Sequence, residues 1–474
     1  MAINTVTLAG TMKEKKSGKL SVLERIGYGA GDFGCSMYWV IFAQFLMFFY
    51  TDVAGLPVAA VSTMLMATRL WDAINDPIMG LLADRTRSRH GKYRPWLIWM
   101  TLPLIVSGVL VFTIPNGSTT FKLVYAFITY TLVGMMYTAI NLPYAALMGV
   151  MTPDSKERTI LGTFRYIGSF TGNFVPQLTL LALVAFIGRG NQQLGFTGAM
   201  IIYGLMAGAL FFFTFKSTRE RVKPVKEAKS SVRKDLGYLF RNRPWITIAI
   251  AGMLSLIGLS IKNAIAIYYF KYYVGNEGLV SSFLAVGTAG AMLGIICTKW
   301  VVKFLGSKRQ AYIITNLLTG IGYAIFFIAR PENVVMLYVI NFISWFVNGP
   351  VMPLMVSLYA DTADYGEWKF GRRTTGLIYA SGTAAIKMGM TFGGAFCGWI
   401  LAAFGYVANQ DQVQSSLDAM RGLMSWVPAL FAIGAVIVLI FYPINRKKEE
   451  EMALALEQRR ADGESEEAQL PRKE

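Results

Sequence analysis

The chain has 474 residues, 54% of them hydrophobic and only 15% charged, against about 25% charged in a soluble domain. That balance excludes most soluble folds. The formal net charge of +17 would suit a nucleic-acid binder only if the basic residues shared one face, and their positions along the chain give them another purpose.

Residues 1–23 are polar and basic and lack the short apolar core and cleavage site of a secretory signal, so they are expected to remain as a cytoplasmic tail. A helix needs about 20 residues to cross a hydrocarbon core of ~30 Å. Apolar runs of that kind fall at about 24–50, 57–83, 95–114, 121–149, 159–187 and 196–215. After a charged stretch they resume at about 244–273, 279–302, 310–329, 333–360, 376–405 and 421–443. The pattern predicts an all-α polytopic membrane protein with twelve transmembrane helices. Residues 24–215 and 244–445 form two six-helix bundles, 216–243 a cytoplasmic linker, and 446–474 a cytoplasmic tail that is solvated apart from a short helix around Glu449 to Arg460. Cys35, Cys297 and Cys397 lie inside apolar runs and read as small core residues, without a disulfide framework or metal spacing.

The basic residues follow this topology. Most of the 45 Lys and Arg fall in the tails, the linker and the loops on the N-terminal side, whereas the alternate loops hold Lys122, Arg189, Arg330 and Arg421. That is the positive-inside asymmetry, which puts both termini in the cytoplasm and removes the case for nucleic acid. An internal echo supports duplication. Pro143, Asp154, Arg158-Thr159 and Gly162 follow the fourth span much as Pro353, Asp364, Arg373-Thr374 and Gly376 follow the tenth. A pseudo-twofold along the membrane normal would set a binding site between the halves.

Charges inside the spans are costly, about 2.5–3.5 kcal/mol each on insertion scales, and usually line a path for ions or substrate. Arg69, Asp72 and Asp76, with Asn75 beside them, are spaced to share one helical stripe in the second span. Paired carboxylates offer hard oxygen ligands for a proton or a small alkali cation. The competing reading is an Arg–Asp lock between two helices. Lys387 sits in mid-span with Thr383 and Tyr379 one and two turns before it. Its anionic partner is expected among Asp72 and Asp76, so the eleventh span should face the second; it would otherwise be only their counterion.

Arg165 in the fifth span, followed on its face by Ser169 and Asn173, offers five donors to sugar hydroxyls or carboxylates, or else a structural pairing. Tyr130, Gly134, Tyr137, Asn141 and Tyr144 share a face of the fourth span, and Asp32, Ser36 and Trp39 a face of the first. Aromatic and amide groups together suit a pyranose, and also suit plain helix packing. Lys262, mid-span in the seventh segment, is read as a substrate contact that would favour a carboxylate or sulfonate; alternatively it snorkels to the outer interface or bonds backbone carbonyls. The basic loop from Asp84 to Pro95 is expected to pair with neighbouring helix ends and hold an outward-open arrangement, or simply to set topology.

These motifs resemble a known family. Tyr50-Thr51-Asp52-Val53, the run from Arg69 to Gly80, Thr86-Arg87-Ser88-Arg89 with Gly91-Lys92, and the run from Asp361 to Trp368 are similar to the glycoside-pentoside-hexuronide:cation symporters, over about residues 22–445. The resemblance implies a major-facilitator-type fold and cation-coupled sugar uptake by alternating access. It implies cation ligation by Asp72, Asn75, Asp76 and Thr383, and sugar contacts from Tyr137, Arg165 and Lys387. Ser36 and Asn141 stand where the melibiose permease has sugar-binding aspartates, and Ala145 replaces a stacking tryptophan. A galactoside specificity is therefore not expected, and the text is closer to the xyloside porters. The substrate-binding set is Ser36, Tyr137, Asn141, Arg165, Lys262, Tyr379 and Lys387. No cofactor or resident metal is expected beyond a transported Na⁺ or H⁺. The expected setting is the bacterial inner membrane, and the expected state a monomer with a small sugar as substrate. A proton-driven exporter of similar fold is the alternative, and the absence of a reactive constellation argues against an enzyme.

Overall fold

The first long helix, α1 (Val22–Gln44), starts where Ser21 accepts a hydrogen bond from the Glu24 amide while the Glu24 carboxylate accepts from the Ser21 amide. This reciprocal cap satisfies donors a helix N-terminus otherwise leaves open. A computed structural model describes residues 20–222, 237, 239–371, 375–452, 454–456 and 458. The expected tail before Leu20, most of the linker, Arg372 to Thr374 and the end of the C-terminal tail lie outside the described residues.

After a 45° bend, α1 runs into a π-helical turn, Phe49–Val53. There follow α2 (Val58–Arg85), α3 (Thr101–Val111), α4 (Thr119–Met151), α5 (Ser155–Gly188) and α6 (Gln192–Ser217). Beyond the linker come α7 (Arg243–Tyr268), α8 (Val280–Leu305), α9 (Lys308–Ile325), α10 (Val334–Asn348), α11 (Val351–Phe370), α12 (Thr375–Ala403), α13 (Gln414–Met424) and α14 (Trp426–Ile440). The described residues contain no strand beyond one isolated bridge, Ser88 to Gly91.

Nine helices among the described residues are long and apolar enough to cross a membrane, ten if the bent pair at residue 45 is one span. The helices at the expected second and ninth positions, α2 and α9, are not among them. α2 carries Arg69, Asp72 and Asp76, and α9 has only 18 residues and opens on Lys308-Arg309-Gln310.

Glycines decide how closely the helices approach. A Cβ at Gly168 of α5 would lie 2.0 Å from the Gly29 carbonyl oxygen of α1, and one at Gly172 would lie 2.4 Å from that of Phe33. Backbones this close admit only hydrogen at the contact. α1 packs chiefly on α5 and α6, and α7 on α12 and α14. Between the two groups, α2 packs on α12 and α5 on α8. The second and fifth helices of one group thus meet the fifth and second of the other, as a twofold relation between them requires.

At the end of the molecule that carries Asp52 the two groups share one apolar core. It runs from Phe48, Phe49 and Tyr50 to Tyr268, Phe270, Cys397 and Tyr406. At the other end a separate core holds Trp245, Tyr359, Tyr365 and Tyr442, all from the C-terminal group. Met452 of the tail is buried in that second core, Leu456 is also buried, and Lys448 lies over the Tyr365 ring. The described part of the tail is helical where a short helix was expected, and Met452 packs it against the C-terminal core.

The basic loop pairs with the ends of neighbouring helices. The Glu220 carboxylate accepts the backbone N–H groups of Lys92, Tyr93 and Arg94 at 2.7–2.9 Å. The Lys92 ammonium pairs with Asp84 at 2.8 Å. Burial opposes the charge on Lys92, but its hydrogen bonds to Asp84 and Tyr93 outweigh that and hold its pKa above the ordinary lysine value. These partners belong to the N-terminal group, so the contacts brace that group rather than clasp the other.

Candidate functional site

The second span holds its charges because each has a counterpart. On α2, the Arg69 guanidinium is 3.5 Å from Asp72 and lies 4.5 Å from the centroid of the Trp39 ring on α1. One turn on, Asp76 accepts a hydrogen bond from the Thr138 hydroxyl of α4 at 3.1 Å. Its other oxygen is ion-paired with the Lys387 ammonium of α12. This is the partner that the scarcity of buried acids had assigned to Lys387, and it joins the two helix groups. Side-chain exposure falls from 45% at Lys387 to 21% at Asp76 and 13% at Asp72, so the cluster reaches from an open space into the helix interface.

Two atoms in the cluster stand out. Asp72 Oδ1 and Asn75 Nδ2 are buried without a hydrogen-bond partner, a condition that buried polar atoms seldom keep unless something else satisfies them. Pro77 follows directly and removes the N–H that would bond the carbonyl four residues earlier. Thr383 is exposed and donates its hydroxyl to the Tyr379 carbonyl at 2.9 Å, which leaves its oxygen available as an acceptor. The Tyr379 hydroxyl donates to the Val356 carbonyl at 3.4 Å.

A second group lies between α1, α4 and α5. The close contact at Gly29 and Gly168 brings Arg165 Nε to 3.2 Å from Asp32 Oδ1, and Ser36 Oγ to 2.7 Å from Ser169 Oγ. The Arg165 guanidinium is 5.7 Å from the centroid of the Tyr144 ring. Asn141 is half-buried beside Cys35. The Trp39 and Tyr137 rings are 6.1 Å apart, so Trp39, which also carries Arg69, links this group to the carboxylate cluster.

Lys262 joins neither group. The residues of α7 that meet α12 are Met253, Leu256, Ile257 and Ser260, and Lys262 is on the opposite side of the helix. It is 2% exposed, has no hydrogen-bond partner, and lies 4.3 and 4.4 Å from the centroids of the Tyr323 and Phe326 rings. In this state Lys262 therefore lies outside the polar seam, packed on aromatic rings and without a carbonyl partner. Lys271 lies at the end of the seventh span. It is not a snorkelling lysine but pairs with Asp52 at 2.7 Å across the two groups.

Asp52 was legible only as part of a motif. Its carboxylate also accepts from Tyr272, from Tyr406 at 2.6 Å and from Thr51 at 2.7 Å, while Asn409 donates to its backbone carbonyl at 2.6 Å. Lys271, Tyr272, Tyr406 and Asn409 all belong to the C-terminal group. Asp32 was likewise not singled out as the partner of Arg165; its spacing from Ser36 on one face of α1 was the available signal.

The geometry is thus a polar seam between two helix groups, lined by carboxylates, cations, amides and aromatic rings. Residues 27–446 match the family described as MFS/sugar transport protein. The putative glycoside/cation symporter YagG of Escherichia coli (strain K12) is 33% identical over 94% of this chain and 96% of its own length. The isoprimeverose transporter of Lactiplantibacillus pentosus is 35% identical over 92% of each chain. The crystal structure of the nucleoside transporter NupG superposes with a TM-score of 0.63 at 12% identity, over 90% of this chain and 100% of that one. The chain is therefore a multi-pass membrane transporter of the major facilitator type, not an enzyme, and belongs to the MFS/sugar transport protein family.

Proposed function

We propose that this protein imports a glycoside together with Na⁺ or H⁺ across the bacterial inner membrane, as a monomer working by alternating access. The observation that carries the reading is the ion pair from Lys387 to Asp76 across the two helix groups, with Asp72 and its unsatisfied oxygen one turn away. The likeness to proteins named as a glycoside/cation symporter and an isoprimeverose transporter supports it.

In this reading residues 24–215 and 244–445 are the moving halves, with α2 and α9 completing twelve spans. Asp72, Asn75, Asp76 and Thr383 hold the cation. Ser36, Tyr137, Asn141, Arg165, Tyr379 and Lys387 face the sugar. With both termini cytoplasmic, the Asp52 end is external and closed, and the conformation is inward-facing. A cation gradient drives the cycle because cation and sugar bind outward and inward states with different free energies.

The test is a thermal-shift screen of glycosides with and without Na⁺, repeated at two pH values. A coupled pair must stabilise the protein reciprocally, each raising the effect of the other. Sugar stabilisation indifferent to both Na⁺ and pH would remove the symport reading.

A further inference from the structure

Besides Lys271 at the Asp52 end, three cations among the described residues face the seam between the halves, and each is matched by a carboxylate. Arg69 is 3.5 Å from Asp72, Arg165 is 3.2 Å from Asp32, and Lys387 pairs with Asp76. Lys262, which has no acidic partner, is turned away toward Tyr323 and Phe326. Among the described residues the seam therefore holds no spare positive charge.

The Asp32–Arg165 pair is the informative one. Asp32 is only 9% exposed in its side chain, whereas Arg165 is 33% exposed. Its backbone is fixed by the α1–α5 contact, where Gly168 admits no Cβ against the Gly29 carbonyl. Asp32 therefore cannot withdraw, and Arg165 uses Nε on it, which leaves the terminal N–H groups for a ligand. Neutral hydroxyls can accept from those groups without disturbing the pair. A sugar carboxylate or sulfonate approaching them meets the Asp32 charge as well, and taking Arg165 for itself would leave a buried carboxylate unpaired, which is strongly unfavourable.

We infer that this site selects neutral glycosides, and that Asp32 is the specificity-determining residue which excludes acidic ones by keeping Arg165 neutralised. The inference rests on the symporter reading and deepens it.

The experiment uses the purified full-length protein in detergent and a matched pair of probes, a 4-nitrophenyl glucoside and the corresponding glucuronide, in both anomers. They differ at C6, where the acid replaces the hydroxymethyl group. Binding is measured in the presence of Na⁺ and at two pH values. The parent should bind the glucoside at least tenfold more tightly than the glucuronide. Asp32→Asn should narrow that ratio at least tenfold by releasing Arg165, and the double variant Asp32→Asn with Arg165→Gln should restore it. If Asp32→Asn does not fold, Asn141→Lys adds an uncompensated cation near the pair and should narrow the ratio in the same direction. Equal binding of both probes by the parent, or an unchanged ratio in the folded variants, overturns the inference while leaving symport intact. Failure of the parent to bind either probe, or any neutral glycoside in the thermal screen, overturns both.

Discussion

Lys387 and Asp76, 311 positions apart in the chain, are ion-paired across the two helix groups. Lys387 is 45% and Asp76 21% exposed, so the pair sits at the open edge of the interface. Breaking such a pair leaves an uncompensated charge, whereas forming it fixes one helix of each group against the other. The pair therefore connects occupancy of the carboxylate cluster with the relation between the halves.

Asp76→Asn is expected to abolish accumulation of sugar against its gradient while retaining sugar exchange. Uptake and counterflow assays in vesicles separate the two. Accumulation at the parental level would show that Asp76 is not the coupling group.

The closed end depends on Asp52, whose partners come largely from the other half. Hydrogen bonds to a charged group contribute about 1.5–3 kcal/mol each, so Asp52→Asn should shift the inward-to-outward ratio by roughly tenfold or more. Labelling of a cysteine introduced near Ala54 with a membrane-impermeant reagent should accelerate. An unchanged labelling rate would mean that the apolar core alone keeps that end shut.

Glu220 holds three consecutive backbone N–H groups at the start of the third span. Glu220→Gln retains only part of this cradle and should lower stability by about 1.5–3 kcal/mol, read as a lower thermal midpoint in detergent. Parental stability would show the loop to be held by Lys92 and Asp84 instead.

The docked tail makes a separate prediction. Met452 is buried against the C-terminal core, and Met452→Ala should cost about 2–5 kcal/mol if that core is rigid. A thermal midpoint equal to that of the parent would indicate a tail that contributes no packing.

Nine or ten of the spans and the carboxylate stripe on α2 were legible because length, apolarity and three- and four-residue spacing are local properties. The partner of Lys387 was legible by elimination, since few acids lie at membrane depth. What the sequence concealed was direction. Periodicity puts Lys262 on a helix but does not say which neighbour that face meets, and the neighbour is aromatic. The pairing of Arg165 with Asp32 depends on how closely two glycine-lined helices approach, and the bond from Lys271 to Asp52 on the folding together of segments over 200 residues apart. Docking of the tail rests on Met452 in a charged stretch, so a short helix was legible there but not what it packs against.

The shared apolar core at the Asp52 end has a thermal consequence. Opening that end must hydrate surfaces around Phe48, Tyr268 and Tyr406 that are buried in this state. Exposing apolar area raises heat capacity. The outward swing should therefore carry a positive heat-capacity change, and where that step limits turnover, an Arrhenius plot of transport should curve rather than run straight.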